Sequence, residues 1–157
     1  MSALLAPLPS NLIVRPHPEP TPAQAPRNAP HRITTDAESI IAAQHYAARI
    51  APGAAQRDRE RLLPWDALDD FVATGLWTIT VPQAYGGPGL SAGTLAEVTA
   101  LVSAADGSLG QIPQNHFYAL EVLRVGGSDE QKRFFYSRVL AGERLGNALA
   151  EITHRDF

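Results

Sequence analysis

Gly75–Ser91, GLWTITVPQAYGGPGLS, is the stretch whose reading decides the fold. Gly75 closes a helical segment, Leu76–Val81 reads as a short extended run, and Pro82, Tyr85 and Gly86-Gly87-Pro88-Gly89 make a turn before Ser91 opens another helix. The glycines allow backbone angles closed to other residues, while Pro82 and Pro88 fix φ and remove donors. The stretch therefore reads as a structured connector that holds one shape between two helices without a strand ladder. It is not a phosphate cradle, because no G-x-G-x-x-G follows a buried strand in a βαβ unit.

Working outward, helices flank the connector on both sides. Thr35-Asp36-Ala37-Glu38 has the form of a capping box, with the Thr hydroxyl accepting from the third helical N–H and Glu38 reaching back. Ile40, Ile41, Ala47 and Ile50 follow at helical spacing until Pro52-Gly53 interrupts them. The alternating signs of Arg57-Asp58-Arg59-Glu60-Arg61 read as a solvated, salt-bridged surface rather than a ligand site. A second helix over 65–73 turns Leu68, Phe71 and Val72 inward and stops at Gly75. Beyond the connector, a third helix runs from Ser91 as N-cap to Ala105, with Leu95, Val98, Val102 and Ala105 on one face.

The fourth helix spans 109–125, with Leu109, Ile112, His116, Leu120 and Leu123 on one stripe and Pro113 near its first turn. Ser128-Asp129-Glu130-Gln131 is a second capping box, opening a fifth helix whose apolar set is Phe134, Phe135, Val139 and Leu140. The remainder, 143–157, reads as a strand entry followed by a polar end. The predicted fold class is all-α, a helical bundle of about five helices with short connections.

Composition narrows the function. Residues 1–33 hold Pro7, Pro9, Pro16, Pro18, Pro20, Pro22, Pro26 and Pro30, most of the chain's 13 prolines, which predicts an extended, disordered leader. No basic segment precedes Leu4-Leu5 and no sustained apolar core follows, so no signal peptide is read and the expected location is cytoplasmic. The net charge is −3 and the basic residues are dispersed, which speaks against a nucleic-acid partner. No apolar run approaches the roughly 20 residues of a bilayer span, so no membrane partner is expected. The chain has no cysteine, which excludes disulfides, thiolate zinc sites and thiol nucleophiles. His17, His31 and His45 are not spaced as ligands, and Glu151, His154 and Asp156 read as a polar terminus, so no metal site is expected.

Taken in order and spacing, several phrases resemble the N-terminal helical domain of the acyl-CoA dehydrogenase superfamily. They are Gly75-Leu76-Trp77, Val81-Pro82, Tyr85–Ser91, Ala105–Gly110, Gly127–Lys132, Ala141-Gly142-Glu143 and Gly146-Asn147-Ala148. The match covers residues 34–151. Ile112–Tyr118 and Gly146-Asn147-Ala148 are closest to the branch of sulfur-acquisition oxidoreductases and dibenzothiophene-monooxygenase-like enzymes. That resemblance implies a flavin cofactor, FAD or reduced FMN, and a small-molecule substrate, an organosulfur compound in this branch or an acyl-CoA in the dehydrogenases, which act on CH–CH groups. It also implies a homo-oligomer. The superfamily places this helical domain before a middle β-domain and a C-terminal helical bundle, and residues 152–157 do not continue the pattern. Without those domains the chain alone is expected to be inactive. A non-catalytic helical interaction module or an inactive truncated fragment is the alternative.

Two residues are candidates for chemistry. The resemblance implies that His116 is the catalytic residue, facing the flavin and substrate cavity; an imidazole exchanges protons near neutral pH and can donate one to a substrate oxygen. Its place on an apolar stripe is equally that of a buried, hydrogen-bonded histidine. The resemblance also implies that Asn147 contacts the flavin, since its amide offers one acceptor and two donors to a ring edge; a turn residue after Gly146 is the alternative. Asn115 and Tyr118 flank His116, but their helix angles point them away from its stripe.

Overall fold

A computed structural model describes residues 30–146, and every regular element among them is helical. The order is α1 (Asp36–Ile50), α2 (Ala54–Glu60), α3 (Trp65–Ala73), α4 (Ala92–Ala105), α5 (Gly107–Gln111), α6 (Pro113–Gly126) and α7 (Asp129–Leu140), with single 3-10 turns at Ala51–Gly53, Leu76–Thr78 and Gln83–Tyr85. The all-α class expected from the sequence is present, and α2 and α5 are short helices beyond the five anticipated. The leader as far as residue 29, Asn147 and the end 152–157 lie outside the described residues. The expected leader boundary at residue 33 falls too late. His31 N–H donates to the Ala73 carbonyl at 3.0 Å, and Ile33 is 3% exposed in the core.

At the start of α1, Thr35 Oγ1 accepts the Glu38 N–H at 3.2 Å, which is half of the predicted capping box. The Glu38 carboxylate passes Thr35 and takes the Thr34 N–H at 2.7 Å and His31 Nε2 at 2.6 Å. The Thr34 N–H first, and then His31, hold that carboxyl down to about 2. Ser39, Ala43, Tyr46 and Ile50 form the inward face of α1, which packs most extensively on α4; Ile41 faces out. Tyr46 donates its hydroxyl to the Ala67 carbonyl at 2.9 Å, and its ring meets Phe71 at 4.8 Å.

The connector after α3 belongs to the core. Leu76, Trp77, Ile79 and Val81 are all buried. Leu76–Thr78 coils instead of extending as expected, because Thr78 closes the turn locally. Its N–H and its hydroxyl both donate to the Gly75 carbonyl, at 3.0 and 2.8 Å. The far end folds back, with the Leu90 N–H on the Ile79 carbonyl at 2.8 Å and the Gly89 N–H on the Val81 carbonyl at 2.9 Å. Glycine is required twice here. Gly75 has φ +80°, and a Cβ on Gly87 would lie 2.2 Å from the Val81 carbonyl oxygen. Trp77 Nε1 and Thr80 Oγ1 are buried without a partner among the described residues.

The expected fourth helix is two. Pro113 has no N–H to continue the ladder, so Ile112 ends α5 and begins α6. Leu109, Pro113, His116 and Leu120 face inward, while Ile112 is turned out. Arg57 also departs from expectation, leaving its solvated run. Its Nε and Nη2 donate to Asp106 Oδ2 at 3.0 and 2.8 Å, and Nη2 donates as well to the Ile50 carbonyl. Asp106 Oδ1 meanwhile caps α5 by accepting the Leu109 N–H at 3.0 Å. Burial pushes the Asp106 carboxyl up, but the Leu109 N–H and the guanidinium outweigh it and hold it below the usual range.

The second capping box is complete: Ser128 Oγ accepts the Gln131 N–H at 3.2 Å, and Gln131 Oε1 accepts the Ser128 N–H at 2.8 Å. On α7 the inward residues are Tyr136 and Val139, not the phenylalanines expected from the sequence; Phe134 is 54% exposed. The Tyr136 hydroxyl finds the Leu120 carbonyl at 3.3 Å, which lets a polar-tipped ring fill the core. Two apolar clusters result. One joins α1, α3, the connector and α4, the other gathers Val81, Leu120, Tyr136 and Val139, and Phe117 packs against both.

Candidate functional site

His116 lies one turn into α6, at 0% exposure, where the connector, α6 and the segment leaving α7 meet. The Trp77 indole stands edge-on to it at 4.6 Å, and Phe117 lies 5.3 Å away. Nε2 is 2.9 Å from the Trp77 carbonyl oxygen, and Nδ1 is 3.0 Å from the Leu145 nitrogen. A carbonyl only accepts and a main-chain N–H only donates, so the bonds assign one tautomer, with the proton on Nε2. Burial pushes protonation of the ring down to about 4, partly opposed by the Trp77 carbonyl. The ring is therefore neutral near pH 7, with its one proton directed at a main-chain oxygen.

An open groove of about 580 Å³ runs between α6 and α7. Tyr118, Val122, Phe135 and Leu145 supply apolar walls, Gly126, Gly127 and Gly146 leave room, and Gln131 is the polar group. Sequence reasoning placed Tyr118 away from the His116 stripe, and it is: Tyr118 lines the groove while His116 lies inside the core. The two are not brought into one site. Tyr118, Val122 and Val125 repeat at i, i+4 and i+7 on α6, and all three are exposed. Tyr118 and Val122 of that second apolar stripe line the groove, and the stripe is the signal from which this wall can be read. Asn147 lies outside the described residues, but Gly146, its neighbour in sequence, is on the groove's rim.

The lining suits a flat, largely apolar group. It holds aromatic and aliphatic faces, glycines that permit close approach, and one amide, and it contains no Lys or Arg to receive a phosphate. A flavin ring fits that chemistry on one face; a flavin's phosphate does not find its partner among these residues. Among the described residues no three His, Cys, Asp or Glu side chains gather as a metal site, and no helix is long and apolar enough to cross a membrane.

Comparisons with known proteins converge. The family model described as "Acyl-CoA dehydrogenase, N-terminal domain" matches residues 41–143. Dibenzothiophene monooxygenase of Rhodococcus erythropolis is 31% identical over 121 residues, 76% of this chain and 29% of that protein. (2S)-methylsuccinyl-CoA dehydrogenase of Cereibacter sphaeroides is 28% identical over 102 residues, covering 64% of this chain and 19% of its own length. A 3-sulfinopropanoyl-CoA desulfinase of Cupriavidus necator is 29% identical over 115 residues, 67% and 29% of the two chains. The chain thus spans less than a third of the length of these relatives.

Proposed function

The chain belongs to the acyl-CoA dehydrogenase superfamily through its N-terminal helical domain, and on that premise we propose that it forms one wall of the flavin and substrate cavity of a flavin-dependent oxidoreductase. The observation that carries this reading is the uncharged groove between α6 and α7, with Gly146 on its rim. Tyr118, Val122 and Phe135 would face the flat ring system or the apolar part of a substrate, and the segment after Gly146 would bring Asn147 to the ring edge. When bound, a flavin supplies two-electron redox chemistry; the groove's part is to exclude water and hold orientation.

Within the superfamily we favour the monooxygenase-like branch and a small organosulfur substrate, on the similarity to dibenzothiophene monooxygenase. Oxidation of a CH–CH bond in an acyl-CoA is the second reading, supported by the dehydrogenase relative. We propose also that the working enzyme is a cytoplasmic homo-oligomer. A proton-donor role for His116 would require the ring to surrender the Trp77 carbonyl, so we place its work elsewhere, as argued below.

The test titrates the 157-residue chain with FAD and with oxidised and reduced FMN, alone and mixed with a polypeptide carrying the domains that follow in a relative, while flavin fluorescence is followed. Quenching in the mixture, removed by Val122→Glu, supports the reading. No change in either sample overturns it in favour of a non-catalytic helical module.

A further inference from the structure

His116 reaches two segments that are distant in sequence, 39 residues back to Trp77 and 29 forward to Leu145. Past α7, the Glu143 N–H returns to the Arg138 carbonyl at 3.0 Å. Among the described residues, the next main-chain anchor is the Leu145 N–H on His116 Nδ1, one residue before Gly146 and the groove rim. A second, looser tether is the exposed Arg144–Asp69 pair at 3.4 Å, which contributes little on its own. The Leu145 side chain also packs on the Val81, Leu120, Tyr136 and Val139 cluster, but its main chain is held by a ring nitrogen that must stay unprotonated.

We infer that His116 is a positioning residue: as a neutral ring bolted to the Trp77 carbonyl, it fixes Leu145 and so aims the segment that carries Asn147. The part concerning Asn147 rests on the flavin-wall reading above; the bolt itself does not. The ring is fully buried against Trp77 and Phe117, so losing a partner leaves one of its nitrogens unpaired in the core. Burial, which holds the ring neutral down to about pH 4, keeps Nδ1 an acceptor across the neutral range.

Side-chain geometry supplies a selective test. Asparagine places its amide oxygen the same number of bonds from Cβ as Nδ1, and glutamine places its amide nitrogen as far out as Nε2. His116→Asn should keep the Leu145 anchor and lose the Trp77 link; His116→Gln should do the reverse. Amide hydrogen exchange in the 157-residue chain is the measurement. Leu145 should exchange about tenfold faster or more in His116→Gln and His116→Phe, and near the parent rate in His116→Asn, with Leu76 and Val98 as core references. Ring ¹⁵N shifts of the unmodified chain should show the neutral Nε2–H tautomer at pH 7, a readout that needs no variant to fold.

Equal Leu145 exchange in the Asn and Gln variants overturns the inference, as does an Nδ1–H or doubly protonated ring. In the mixture with the following domains, flavin affinity should fall for His116→Gln and hold for His116→Asn. Protected Leu145 with no flavin binding by the parent chain, alone or in that mixture, refutes the flavin-wall reading and leaves the bolt standing. Flavin affinity indifferent to a freed Leu145 refutes the link to Asn147.

Discussion

Asp106 holds two structures together at once, and its removal gives a magnitude that the geometry fixes in advance. Asp106→Ala deletes the α5 cap, whose single bond to the Leu109 N–H is worth about 1 kcal/mol. It also deletes two charge-assisted bonds from Arg57, at 3.0 and 2.8 Å. Hydrogen bonds to charged groups contribute roughly 1.5–3 kcal/mol. The Arg57 side chain is 21% exposed and keeps the Ile50 carbonyl, so part of that loss is recovered by water. The expected cost is about 3 kcal/mol, or a melting temperature lower by roughly 10 °C for a domain of this size. Asp106→Asn keeps a good cap but not the charge and should lose about half as much. In urea melts of the 157-residue chain, a cycle with Arg57→Met should return a coupling of about 1–2 kcal/mol. A loss below about 0.5 kcal/mol for Asp106→Ala, the range of an ordinary surface change, refutes the argument.

Acid should weaken the fold in a defined window. An unfolded His116 takes up its proton near 6.5 and the folded one at about 4, so its contribution is complete above 6.5 and is lost as pH falls to 4, amounting to about 3 kcal/mol. Asp106, held below its ordinary range, loses its share only at lower pH, so urea melts between pH 7 and 5 report mainly the histidine; stability unchanged over that interval contradicts the buried neutral ring. Gly75→Ala combines φ +80° with a Cβ only 2.1 Å from the His31 carbonyl oxygen and should cost about 3 kcal/mol in the same assay. Tyr85→Phe removes an exposed bond to Asp129 and should change the midpoint by less than about 0.5 kcal/mol.

The helices were legible because their signals are local. Thr35, Ser91 and Ser128 cap where the sequence places them, and Gly75 stops α3 in the left-handed region. What escaped depends on partners far along the chain. Arg57 looks like one more charge on a solvated run until Asp106, 49 residues away, claims it. Tyr136 looks less apolar than Phe134 and Phe135, yet it is buried because Leu120 offers its hydroxyl an acceptor. Leu76–Thr78 reads as extended from its β-branched neighbours, and a single threonine closing on Gly75 overrides that preference. The groove was readable in part, through a second stripe on α6, but its far wall comes from α7. Periodicity placed His116 on an inward stripe; nothing local to it announces Leu145.

The two bonds of one imidazole also set an order of completion during synthesis. A ribosome adds roughly 5–20 residues per second, so the Trp77 carbonyl is made seconds before the ring whose Nε2–H donates to it. That ring then waits a further 29 residues for the Leu145 N–H. Through this interval α1, α3 and α4 can dock on one another, but the seam between the two apolar clusters stays open at Nδ1. A nascent chain halted short of Leu145 lacks the main-chain partner of Nδ1 and the net stabilisation of that bond, about 1 kcal/mol. The helical domain thus reaches full stability only once Leu145 is free to dock on the ring, which makes this bond a late step in its assembly.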